Sequence, residues 1–150
     1  MIILCEIASR TIVPSFRAMV AKELFESYKM KQDNIANLLG ITQSAVSQYL
    51  SNTRGRTLDL EDINEVVDIV KAVSFDLKSN LPSKIVCQRC CEVCKIVRDK
   101  MLLCQFHERL DPLYNVKDCN ICIPDQCLWK YILRFTIESL YFWISLPTNG

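Results

Sequence analysis

Two groups of residues in this chain of 150 could do chemistry. The first is a short polar row, Gln43, Ser44, Ser47 and Gln48, with Thr42 before it and Arg54 and Arg56 after it. Between Gly40 and Thr57 the sequence contains no Asp or Glu. Amides and hydroxyls can pair with base edges and arginines can neutralise phosphates, so a row without carboxylates suits duplex DNA. The second group is thiols. Of 9 cysteines, only Cys5 lies outside the stretch that holds Cys87, Cys90, Cys91, Cys94, Cys104, Cys119, Cys122 and Cys127. Cys91-x2-Cys94 and Cys119-x2-Cys122 have metal-ligand spacing, which places four thiolates on two turns that can converge on one metal, with Cys104 as a fifth candidate.

The residues around these pairs bear on which metal they would take. A zinc ribbon normally has Gly or a small polar residue just after its thiol pair, so that the backbone can turn. Here Lys95-Ile96 and Ile123-Pro124 follow. A cysteine closely followed by proline, together with Cys119-x2-Cys122-x4-Cys127, favours a 4Fe-4S iron–sulfur cluster, with structural zinc as the alternative. Unliganded thiols that pack as small apolar side chains are the plainest reading. His107, the sole histidine, reads equally well as a polar residue near a helix end and is not counted as a ligand.

The polar row needs a frame, and Gln32 to Ser51 has the pattern of a helix-turn-helix. Ala36 lets two helices cross closely, and Gly40 follows Leu38 and Leu39 where a positive φ is expected. Ile35, Leu39, Ile41, Val46 and Leu50 provide the apolar contacts, and Thr42 is a natural N-cap. Lys31 and Gln32 could support a backbone contact at the start of the first helix of the pair. Upstream, Pro14 sits where a helix can start, with Phe16, Met19, Val20, Leu24 and Tyr28 at helical spacing. Downstream, Asp59 is expected to cap another helix, with Glu61 and Asp62 in its first turn and Leu60, Ile63, Val66, Val67, Val70, Val73 and Leu77 on one stripe.

Asn80-Leu81-Pro82-Ser83 interrupts the helical pattern and divides the chain into residues 1–80, a cysteine-rich region at 84–127, and an apolar segment at 128–150. In that last segment Leu128 to Leu146 carries Trp129, Phe135, Phe142 and Trp143, with Lys130, Arg134 and Glu138 on one narrow line. Such a helix must be buried in something. Three charges inside it argue for a homodimer interface over a membrane span.

Composition limits the function classes. With hydrophobic residues at 50%, 3 Gly and 5 Pro, the chain can build a core. A net charge of +1 leaves any nucleic-acid affinity to local charge placement. The opening Met1 to Cys5 run is broken by Glu6 and makes no convincing secretory signal, which points away from an extracellular disulfide scaffold. It also favours metal or redox roles for the cysteines, although intracellular disulfides occur in hyperthermophiles. No nucleophile with an orienting base, phosphate-binding glycine loop or paired acid can be assembled, so catalysis has no support.

Gln32 to Ser51 resembles the XRE, or lambda-repressor-like, class of helix-turn-helix regulators. A narrower similarity runs through Cys5-Glu6, Pro14, Arg17-Ala18, Ala21-Lys22-Glu23-Leu24, Gln32, Ile35-Ala36, Leu39-Gly40, Thr42-Gln43, Ala45-Val46-Ser47, Tyr49-Leu50 and Arg54-Gly55. With the cysteine-rich tail, including Leu103-Cys104-Gln105-Phe106-His107, these residues resemble an archaeal family of transcriptional regulators with an XRE-type domain. The resemblance implies promoter binding in the cytoplasm. The expectation is therefore an all-α protein: a repressor-like helix-turn-helix bundle, a small cysteine-rich helical metal-binding region and a C-terminal apolar helix. Double-stranded DNA is the expected partner, read by Gln32, Thr42, Gln43, Ser44, Ser47, Gln48, Arg54 and Arg56, with a cluster on Cys91, Cys94, Cys104, Cys119 and Cys122 as the candidate sensor of redox state or iron. The alternative is a protein-interaction adaptor with a structural zinc site.

Overall fold

The computed structural model describes residues 4–81 and 83–111. The expectations placed on Cys119, Cys122, Cys127 and the Leu128 to Leu146 segment fall outside them. The described residues are all-α, with six helices: α1 (Leu4–Glu26), α2 (Gln32–Leu39), α3 (Gln43–Leu50), α4 (Asn64–Lys78), α5 (Ser83–Asp99) and α6 (Cys104–Leu110).

The 23-residue α1 is the spine, with α2, α3, α4, α5 and α6 all packed against it. It buries Ile7, Ala8, Ile12, Phe16, Val20, Ala21 and Leu24, positions that recur at three- and four-residue intervals. Pro14 does not open this helix; it lies inside it. Proline cannot donate to the carbonyl one turn back and is normally costly in a helix interior. Here the apolar positions on both sides, Ile7 and Ile12 before it and Phe16 after it, lie in one core and hold the two halves together. Thr11, whose Oγ1 donates to the Ile7 carbonyl at 2.7 Å, occupies the turn before it.

The stripe assigned to the fourth helix is buried except for the half-buried Val67, but the helix begins later. Asp59 Oδ1 accepts from the Glu61 backbone N–H at 3.1 Å and so caps a tight turn, while α4 starts at Asn64. Leu60 and Ile63 are buried ahead of the helix, and Val66, Val70, Val73 and Leu77 continue the apolar line within it. Anchoring Leu60 and Ile63 in the core fixes the turn before the first helical hydrogen bond can form.

Asn80 does end a helix, at φ +54°. Beyond it, α5 packs on α1 and α4, and Val93, Val97 and Leu103 enter the same hydrophobic cluster as Ile12 and Val73. Asp76, largely buried, accepts from Arg89 Nε at 3.3 Å and ties α4 to α5. Among the described residues no helix is long and apolar enough to cross a membrane.

Candidate nucleic-acid interface

The α2–α3 pair is built by its turn. Gly40 has φ +62°, and the N–H of Ile41 reaches back to the Ala36 carbonyl at 3.0 Å, closing the end of α2. Nothing lies within 4 Å of where a Cβ on Gly40 would sit, so the left-handed backbone is what calls for glycine there. Thr42 then starts α3 with extended backbone, and its Oγ1 accepts from the Ala45 N–H at 3.2 Å, as an N-cap does.

Ile35, Ala36 and Val46 are buried in one core cluster with the apolar residues of α1, and Ala45 is buried as well. Leu39, Ile41 and Leu50 are half-buried against the same core. The largest buried side chain of α3 is Tyr49, 2% exposed, which does not stand among the apolar contacts expected from the sequence. Burying Ala45, Val46 and Tyr49 forces the other side of α3 outward. Thr42, Gln43, Ser44, Ser47 and Gln48 are all exposed.

The structure brings Gln32 to this row. Gln43 Nε2 donates to Gln32 Oε1 at 2.6 Å, joining the first residue of α3 to the first residue of α2. Thr42 and Ser44 pair through their hydroxyls at 3.0 Å. The exposed end of the row is therefore held in place by partners within the chain.

Arg54 and Arg56 follow α3 in a loop that is fastened from two sides. The N–H groups of Thr53 and Arg54 both donate to the Gln48 carbonyl, at 3.0 and 3.2 Å. Arg54 stacks over Tyr49, with its guanidinium carbon 5.5 Å from the ring centroid. Gly55 is pressed against α1 at φ +79°; a Cβ there would lie 2.6 Å from the Ala18 Cβ and 2.8 Å from the Pro14 carbonyl oxygen. The sequence signal for this close approach is Arg54-Gly55-Arg56, a glycine between two arginines. Beside it, a cleft of about 160 Å³ is lined by Asn52, Arg54, Arg56 and Lys22, with Asp59 and Glu61 also on its wall. Lys22 is paired with Glu61 at 2.8 Å.

Three of the five expected ligands lie among the described residues. Cys91 and Cys94 lie within the continuous helix α5, where a metal knuckle would need a turn, and Cys104 is the first residue of α6. Cys91 is exposed, and Cys94 and Cys104 are half-buried. Burial pushes the Cys94 thiol up to about 11, against the opposing effect of Arg98. Among the described residues no three His, Cys, Asp or Glu side chains are gathered as metal ligands. His107 is buried.

No protein-family model, curated protein or solved structure matches this chain.

Proposed function

We propose that the protein is a sequence-specific DNA-binding transcription regulator of helix-turn-helix type, with α3 as the helix that enters the major groove. The observation that carries this reading is the hydrogen bond that Gln43, on the exposed, carboxylate-free face of α3, donates to Gln32. A primary amide has two N–H donors and a carbonyl acceptor. With one donor of Gln43 engaged by Gln32, the other donor and the carbonyl stay available together, which is the pattern that matches N7 and N6 of adenine. The tether also lowers the entropy lost when the side chain docks.

Gln48, Ser44 and Ser47 extend the same face along the groove, and Thr42 stands at the helix N-terminus where a phosphate is favourable. Arg54 and Arg56, with Gln32 at the start of α2, supply contacts to the sugar-phosphate backbone. A net charge of +1 makes these local cations decisive for affinity. Two copies acting as a homodimer would set two α3 helices about 34 Å apart and read a near-palindromic site. A metal site is not part of this reading, because Cys119 and Cys122, two of its five expected ligands, lie beyond the described residues.

Methylation interference on a bound duplex tests the assignment. Methyl groups on guanine N7, in the major groove, are expected to block binding within the site, whereas methyl groups on adenine N3, in the minor groove, are not. Interference confined to the minor groove would remove α3 as the reader.

A further inference from the structure

Cys87, Cys90, Cys91 and Cys94 stand at i, i+3, i+4 and i+7 of α5 and therefore share one face of an unbroken helix. Free cysteine is ordinarily among the most buried residue types. Yet Cys87 and Cys91 are exposed, with Cys90 and Cys94 half-buried beside them. Positive charge borders the row: Arg17 of α1 lies within electrostatic reach of Cys90, and Arg98 within reach of Cys94. Cys5, exposed in the first turn of α1, lies within similar reach of Cys94. Two helices thus bring five thiols and two guanidinium groups to one seam of the bundle.

This arrangement suits an ion that asks for few ligands. Zinc and cubane clusters take four protein ligands or close to it, and no three are gathered among the described residues. A soft monovalent cation is satisfied by two thiolates on opposite sides. Cys87 and Cys91 are one helical turn apart, with Cβ atoms about 5–6 Å from each other, a span that two sulfurs can close over a single ion.

We infer that Cys87 and Cys91 form a two-thiolate site for a soft monovalent cation of the copper(I) class, flanked by Cys90 and Cys94. On binding, each thiol passes its proton to water while a sulfur lone pair forms the bond to the metal. One cation and two thiols give a dithiolate complex of charge −1 and two released protons, with no change of oxidation state. The site does not depend on the DNA-binding reading, since α5 carries none of the residues assigned to DNA.

The test is titration of the reduced full-length chain, under anaerobic conditions, with copper(I) supplied as its acetonitrile complex against a coloured copper(I) chelator. The expected result is one copper retained per chain, with only sulfur neighbours in its X-ray absorption spectrum. Cys87→Ser and Cys91→Ser should each weaken retention by more than about a hundredfold, beyond what loss of a supporting group costs a metal site. Cys119→Ser plus Cys122→Ser should leave it unchanged. Because both α5 positions are exposed, serine should leave the fold intact, and Cys87→Ala, a better helix former, repeats the test if helicity falls. Failure of the wild-type chain to retain copper, retention by the Cys87→Ser plus Cys91→Ser variant, or loss only in the Cys119 and Cys122 variant would overturn the assignment.

Discussion

Gln43 Nε2 donates to Gln32 Oε1 at 2.6 Å, so the first side chain of α3 is fixed to the first side chain of α2. The two glutamines are expected to act as one unit. Gln43→Ala should cost about 1–3 kcal/mol on the preferred duplex and much less on random DNA. Gln32→Ala should lose a smaller but overlapping part, so the double variant should bind more tightly than the summed losses predict. Strict additivity in equilibrium titrations would show that the bridge has no role in recognition.

Arg54 is held against Tyr49 and follows the polar row without entering it. Arg54→Ala is expected to weaken binding to preferred and random duplexes alike and to reduce the slope of log K against log salt by about one. A loss confined to the preferred duplex would make it a base reader.

Gly55 and Gly40 both have positive φ, but only Gly55 is crowded, with Ala18 and the Pro14 carbonyl where a side chain would go. Gly40→Ala should cost about 1–2 kcal/mol, the penalty of the left-handed backbone. Gly55→Ala adds a steric clash that typically costs a further 1–3 kcal/mol or about that. Urea unfolding that ranks the two variants in the opposite order would contradict the close packing of the arginine loop on α1.

Burial raises the Cys94 thiol from 9.0 to about 11, and burial likewise raises Cys90. Below the lower value the thiol is protonated in folded and unfolded chains alike. Above it the unfolded chain gives up its proton first, so stability should fall as pH rises from about 9 to about 11. Comparison of wild type with Cys94→Ala isolates this term, and the variant should show the shallower alkaline loss. Identical alkaline profiles would mean that Cys94 is solvated in the folded chain.

Much of the α2–α3 unit was legible because its signals are local. Gly40 needs its φ, Thr42 its cap, and Ile35 and Val46 their burial, and each requirement acts within a few residues. The misread features depend on distant partners. Pro14 looks like a helix start until the core contacts of Ile7 and Ile12 carry the helix back to Leu4. Asp59 looks like a helix cap until burial of Leu60 and Ile63 delays α4 to Asn64. Gly55 becomes informative only when α1 is seen against it. The cysteine spacing was ambiguous for another reason: two residues between thiols suits a metal turn, but three-residue steps also align side chains on a helix. The run Cys87, Cys90, Cys91, Cys94 fits the helical period throughout, which was the available signal.

The central claim, sequence-specific binding of duplex DNA through α3, is tested most directly by repeated selection of the full-length chain on a random duplex library, followed by affinity measurement at physiological salt. The account predicts one enriched motif, bound at least about a thousandfold more tightly than a shuffled duplex, with the difference largely abolished by Gln43→Ala plus Gln48→Ala. No enrichment, or an enriched motif bound equally well by that double variant, would contradict it.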